Sequence, residues 1–241
     1  MNNIEKLKQI IDNSKRIVVF SGAGISVPSG IPDFRSANGI FNKKLHKEFT
    51  PEQVVSHTYF MKYPKDFYEF YFDKMVYPNA LPNQAHEYFA KLEEDGKNVT
   101  IVTQNIDGFH SMAGNKKVYE LHGSIHRNYC MNCNKYYDLK QILNSELPKC
   151  SCGGIIKPDV VLYEEGLDES VIEGAVKSIY NADTLIIIGT SLMVYPAASF
   201  IRYFKGHNLI LVNKSKTSAD QSCSLVFYDD VINIINELKK I

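Results

Sequence analysis

The chain has no bias of charge: 27 lysines and arginines are matched by 27 aspartates and glutamates, a formal net charge of zero. A balanced surface gives no electrostatic footing for nucleic acid or an anionic membrane as main partner. It also has no long apolar run. Stretches such as Leu185–Ile188 are strand-sized, far short of the roughly 20 residues that cross a bilayer. Met1 to Asp12 interleaves charges with Ile4, Leu7, Ile10 and Ile11, which reads as a helix and not as a secretion leader. There is no repeat of fixed period and no low-complexity stretch. With 44% hydrophobic and 22% charged residues in 241, the composition is globular, and the length suits one large domain or one with a smaller companion. We expect a cytoplasmic, monomeric protein.

Short, continuous, β-branched runs recur at Ile17–Phe20, Val99–Thr103, Leu185–Ile188, Leu209–Val212 and Leu225–Tyr228. Continuous rather than alternating apolarity suits strands of a parallel sheet buried on both faces. Amphipathic helical segments lie between them, at Ile4–Asn13, Asn83–Glu94, Glu169–Tyr180 and Asp230–Lys240. The alternation predicts an α/β protein with a doubly wound, Rossmann-type parallel sheet. Two segments do not fit it: aromatic-rich Ser36–Pro82, with helical spacing of Phe67, Phe70, Tyr71 and Lys74, and Ile125–Ile156, which carries a cysteine cluster. The expected division is therefore a sheet domain of residues 1–35, 81–124 and 157–241, with a small domain of 36–80 and 125–156.

Four of the runs end in small or polar residues: Ser21-Gly22-Ala23-Gly24-Ile25-Ser26, Gln104-Asn105-Ile106-Asp107, Gly189-Thr190-Ser191 and Asn213. In an open parallel sheet the ligand crevice lies beyond the carboxyl ends of the strands, so these groups should converge. Gly22-Ala23-Gly24 suits close approach of backbone N–H groups to a pyrophosphate. The third glycine of G-x-G-x-x-G is Val27, and no ribose carboxylate follows, so a tight strand-to-helix turn is an equal reading. Phe34 and Arg35 offer a ring cover and a bidentate phosphate clamp, or an incidental pair on a proline-rich loop. Asn105 and Asp107 suit ligand contacts or helix capping alike. His122 is the one histidine of seven directly before a glycine; it suits general-base work near neutral pH, or a structural role.

The cysteines carry the sharpest local signal. Two residues separate Cys130 from Cys133, sixteen separate Cys133 from Cys150, and one separates Cys150 from Cys152. Two thiolate pairs bridged by a loop fit a tetrahedral four-cysteine zinc site with no open position, hence structural, with a redox pair or free thiols as the competing readings.

In this order, these motifs make the chain similar to the sirtuin family of NAD-dependent protein deacylases, in its bacterial type, over nearly its whole length. The resemblance implies a Rossmann-type domain, a small helical and zinc-binding domain, and a cleft between them where NAD and an acyl-lysine peptide meet. It assigns the cofactor to Gly22, Ala23, Gly24, Val27, Phe34, Arg35, Gln104, Ile106, Asp107, Gly189, Thr190, Ser191, Asn213 and Asp230. Catalysis falls to His122 and Asn105, and peptide binding to Val160, Val161 and Tyr163. The implied reaction frees the lysine and releases nicotinamide and O-acyl-ADP-ribose, with His122 taking a proton from the ribose hydroxyls. Two departures stand out. Tyr163-Glu164-Glu165 replaces a Phe-Gly-Glu common in the family, placing carboxylates at the substrate edge, either to favour basic flanking residues or as a solvated face. Tyr71 and Lys74 stand where succinyl-selective members have Tyr-x-x-Arg; lysine supplies charge without the planar fork, so deacetylation is expected to dominate. A protein ADP-ribosyltransferase, a non-catalytic NAD or ADP-ribose sensor and, more remotely, a hydride-transferring dehydrogenase are the alternatives.

Overall fold

The computed structural model describes residues 2–33 and 49–241. Helix α1 (Asn3–Asn13) is started by a capping box between Asn2 and Glu5 and leads into strand β1 (Arg16–Ser21). After the small helices α2 (Pro51–Val54), α3 (His57–Lys62) and α4 (Pro64–Lys74), the chain enters α5 (Gln84–Glu94), β2 (Asn98–Thr103), α6 (Phe109–Ala113) and β3 (Val118–Glu120). Strand β4 (Gly123–Cys130), β5 (Tyr136–Asp138), α7 (Leu139–Ile142) and β6 (Ile156–Val160) follow. Then come α8 (Glu169–Asn181), β7 (Thr184–Ile188), β8 (Asn208–Val212), β9 (Leu225–Phe227) and α9 (Val231–Leu238).

Strands β3-β2-β1-β7-β8-β9 form, in that order, a parallel sheet whose topology reverses between β1 and β7. The expected strands are all present, each within a residue or two. Their continuous apolarity has the anticipated cause. In β1, Ile17 and Val19 face a core shared with α1, α5 and α9, while Val18 and Phe20 face the opposite core under α8. Strand β7 splits the same way, Ile186 and Ile188 against Leu185 and Ile187. Edge strand β3 is short and half-exposed and carries no apolar run to announce it.

A second, three-stranded antiparallel sheet has the order β5-β4-β6. It runs from Gly123 to Val160 and packs with α2, α3, α4 and α7 around a core rich in aromatics: Tyr59, Phe60, Phe67, Tyr68, Phe70 and Tyr71. The boundaries expected at 125 and 156 therefore cut through β4 and β6. Strands β4 and β6 bracket the cysteine insertion, which composition alone did not disclose. Among the described residues no helix is long and apolar enough to cross a membrane.

Candidate active site

The four polar strand ends do converge. Gly22, Ala23, Gly24, Val27, Gln104, Asn105, Ile106, Asp107, Gly189, Thr190, Ser191 and Asn213 all line one cleft of about 1110 Å³ between the two sheets. His122, Val160, Val161, Tyr163 and Lys74 border the same space. The strand ends are tied laterally by backbone bonds: Gly22 N–H to Ile188 O at 3.0 Å, Gln104 N–H to Ser21 O at 2.9 Å, and Gly189 N–H to Val212 O at 3.0 Å.

The turn after β1 is packed so closely that only glycine fits. A Cβ on Gly24 would lie 2.6 Å from the Cα of Gly189, and Gly24 N–H donates to Gly189 O at 2.8 Å. The backbone itself is the wall of the cleft here, a surface an extended phosphate-bearing ligand can approach.

Beside that turn lies a buried carboxylate. Oδ2 of Asp107 accepts from the Ser26 hydroxyl at 2.7 Å and from the Asn105 amide at 3.3 Å, while Oδ1 accepts the Phe109 N–H at 3.0 Å. Burial pushes the Asp107 carboxyl up from the usual carboxylate range, and these donors oppose the rise. Of the two readings, the capping contact is present: Asp107 steadies the start of α6 with one oxygen, and with the other it meets Ser26 at the cleft. Ser26, unassigned from sequence, is the pivot that joins Asp107 to Asn105, whose amide reaches its hydroxyl at 3.1 Å. His126 adds a ring nitrogen 2.9 Å from the Asp107 carbonyl. Spacing offered no signal for either contact, because both partners are distant in the chain.

His122 is half-buried at the cleft wall, with Nδ1 2.8 Å from the Gln104 carbonyl. The carbonyl can only accept, so Nδ1 carries the proton and Nε2 is left with its lone pair. Burial draws the imidazole below its ordinary value, with the Gln104 bond working against the shift. Gly123, next in sequence, lies at φ +76°, where a Cβ would stand 1.9 Å from the Asp159 carbonyl. The His122 carbonyl accepts from Val161 N–H at 3.0 Å. The backbone that carries the imidazole is thus bound directly to the segment after β6.

β6 is an edge strand: β4 pairs with one side, and Val160 and Val161 border the cleft. Its continuation is stapled to the helical module, Tyr163 N–H donating to Val55 O and His57 N–H to Tyr163 O, each at 3.0 Å. The carboxylates at this edge are already engaged. Glu164, at φ +75°, accepts from Thr58 N–H at 2.9 Å. Glu165 accepts from Leu162 N–H at 2.9 Å and meets Lys157 at 3.0 Å and His57 at 2.8 Å. Glu165 is thus neutralised by Lys157, while Glu164 stays exposed and keeps its charge beside this edge.

Two expectations are corrected, and two lie outside the described residues. Asp230 does not border the cleft; it caps α9 through Ile232 N–H at 2.9 Å and pairs with Lys214 at 2.8 Å, while its neighbour Asp229 lines the space. An N-cap side chain folds back onto its own helix. Tyr71 is fully buried in the aromatic core, its ring stacked on Phe67 at 5.6 Å, and does not line the cleft. Lys74 does, but holds Asp73 at 2.6 Å. Phe34 and Arg35 lie outside the described residues.

The four cysteines meet at one point. Their sulfurs all lie within 4.8 Å of one another, with Cys130–Cys152 at 3.5 Å, Cys133–Cys150 at 3.6 Å and Cys133–Cys152 at 3.5 Å. A tetrahedron with Zn–S arms of about 2.3 Å requires sulfurs about 3.8 Å apart, so the donor set fits zinc. The Cys152 N–H and the Tyr137 hydroxyl draw the Cys150 thiol down to about 5, ready to ligate as thiolate.

Comparison with known proteins agrees with this geometry. A model of the Sir2 family matches residues 22–196. The chain is 60% identical over 240 residues to the NAD-dependent protein deacetylase of Clostridium perfringens, covering 98% of each. It is 56% identical to that of Clostridium acetobutylicum, covering 98% of this chain and 97% of the relative. Among solved structures, Sir2 with a p53 peptide and NAD+ superposes with a TM-score of 0.86 at 34% identity, over 100% of this chain and 98% of that one. Sir2 bound to acetylated peptide does so with 0.86 at 33%, with the same coverage.

Proposed function

The chain belongs to the Sir2 family, and from that premise we propose that it is an NAD-dependent protein-lysine deacetylase. It frees the lysine and releases nicotinamide and O-acetyl-ADP-ribose. One observation carries the reading: a neutral imidazole with an available Nε2 borders the same cleft as a glycine-walled turn, a buried carboxylate and an open strand edge.

Each residue has a task its geometry supports. The Gly22–Gly24 backbone, with Thr190, Ser191 and Asn213 across the cleft, holds the dinucleotide, and Gln104 is aligned by its bond to Thr190 Oγ1 at 3.0 Å. Asp107, with lone pairs to spare, accepts an amide N–H of the nicotinamide, and Ile106 packs against its ring. NAD supplies a ribose carbon that becomes electrophilic as nicotinamide leaves. His122 Nε2 removes a proton from the ribose hydroxyls while Nδ1 stays bound to Gln104. The peptide adds as a strand to β6 at Val160 and Val161, next to Tyr163, main chain to main chain. The four cysteines hold zinc, which has no open position and takes no part in the reaction. Its partners are acetylated protein substrates, and the balanced charge offers no electrostatic footing for nucleic acid or an anionic membrane.

The test is turnover of an acetyl-lysine peptide with NAD, read by mass spectrometry. The wild type should yield free lysine and O-acetyl-ADP-ribose. His122→Ala should lose about 10²–10⁴-fold in kcat, the range of a general base, without a change in melting temperature. Protonation of His122 removes the base, so the rate should hold above pH 6.5 and fall as pH drops through the lowered value. Covalently ADP-ribosylated protein with no freed lysine would instead establish the transferase alternative.

A further inference from the structure

Behind the cleft lies a buried polar chain that the reaction above does not use. His86 and His110 are fully buried, their rings edge-on with centroids 4.9 Å apart. Nε2 of His86 has no hydrogen-bond partner, and Nδ1 of His110 has only the Asn115 side chain near it, beyond ordinary hydrogen-bond geometry. Such groups are costly in a core where a leucine or phenylalanine would carry no penalty. What they hold is specific. His110 Nε2 lies 3.0 Å from the Ser21 hydroxyl oxygen, and Ser21 donates to Thr103 Oγ1 at 2.9 Å. Thr103 Oγ1 in turn accepts the Asn105 backbone N–H at 3.1 Å. Ser21 and Thr103 are the last residues of β1 and β2, the positions from which both cofactor turns depart.

Ser21 has one proton and gives it to Thr103. The contact with His110 is therefore filled by the imidazole proton on Nε2. At the other ring, His86 Nδ1 accepts the Asn83 N–H at 3.2 Å, and the Asn83 amide bonds Ile25 O at 2.8 Å and Ser29 Oγ at 2.9 Å. We infer that His110 and Ser21 are positioning residues for the catalytic segment Gln104–Asp107. The His110 Nε2 proton commits the Ser21 hydroxyl to Thr103, and Thr103 then anchors the Asn105 backbone that carries the side chain into the cleft. Neither residue touches the reactants.

The kinetic arm of the test rests on the deacetylase reading; the other arms do not. In the zinc-loaded protein, long-range ¹H–¹⁵N spectra should show His110 neutral and protonated on Nε2 from pH 8 to 5.5. Hydrogen exchange over residues 103–107 should speed up at the Asn105 amide in Ser21→Ala, with melting temperature and zinc content retained. With NAD and acetyl peptide, Ser21→Ala and His110→Leu should each lower kcat about tenfold, as small misplacements of catalytic groups do, at unchanged peptide KM. The double variant should be no slower than the slower single one, since both break one chain. His110→Gln, which keeps a donor at the Nε2 position, should recover to within about threefold. An Nδ1-protonated His110, unchanged exchange at Asn105 in Ser21→Ala, or fully additive kinetic losses would overturn the inference. Absence of nicotinamide release by the wild type would strike the deacetylase reading alone, leaving tautomer and exchange to decide this one. Should His110→Leu fail to fold, Ser21→Ala carries the test.

Discussion

The two sheets of this molecule face one cleft but stand on different physics. In the parallel sheet every residue of β7 is buried and β1 is buried after its first position, with apolar side chains sent alternately to two cores. In the small antiparallel sheet, β6 alternates buried and half-buried residues and β5 is largely exposed. Its far end converges on four sulfurs. The larger region is held by apolar burial on both faces of its sheet, while the smaller adds to its aromatic core a four-cysteine site that fits zinc. The proposed reaction needs both, because the glycine turn belongs to one and the proposed peptide edge to the other, and His122 sits where they join.

Removing zinc should break the comparison most sharply. Chelation, or Cys133→Ser, should disorder residues 130–155 with a loss on the order of 10 kcal/mol of binding free energy. Limited proteolysis should then cut there and leave the parallel sheet intact; simultaneous loss of both regions would contradict the division. Gly24→Ala acts on the other side alone. Its methyl meets Gly189 at 2.6 Å, so NAD KM should rise at least about tenfold for a displaced turn, with peptide binding and zinc content unchanged.

A smaller, pH-dependent contrast follows from the buried imidazoles. Burial lowers His86 to about 4 from 6.5, and His110 is held low by the same cause. Below pH 6.5 the unfolded chain binds a proton that the folded chain refuses. Stability is therefore complete above 6.5 and declines towards pH 4, by about 3 kcal/mol for His86. Urea melts at pH 7.5 and 5 should show this slope flattened in His86→Leu. The smallest effect belongs to Lys74 on the small module. Succinyl-peptide kcat/KM should remain below the acetyl value, and Lys74→Ala should change that ratio less than about threefold, since its ammonium is held by Asp73. A succinyl preference in the wild type would reverse the ranking.

The parallel strands were legible because burial on both faces leaves a signature in the sequence itself, four or five apolar residues in a row. Strand β3 and the antiparallel sheet left none: β3 is three residues long, and β4 mixes Ser124, His126, Arg127 and Asn128. Arg127 holds Glu120 and Asp159, each at 2.7 Å, a bridge among β3, β4 and β6 that no local pattern foretells. Asp230 was misread for a related reason: an aspartate before a helix looks the same whether it faces a ligand or its own backbone.

By itself, the sequence determined the chemistry available here: a glycine turn after a buried strand, a histidine before a glycine, and four thiols at metal spacing. These depend on residue type and short-range order, which the chain carries in one dimension. Which oxygen of Asp107 meets Ser26, which nitrogen of His122 is left free, which partners hold Glu164 and Glu165, and that Tyr71 belongs to the core were decided only by tertiary structure. Each turns on a hydrogen bond or contact set by packing, whether the partners lie far apart in the chain or on the same helix, and only the folded geometry says which of several chemically equal partners stands within 3 Å.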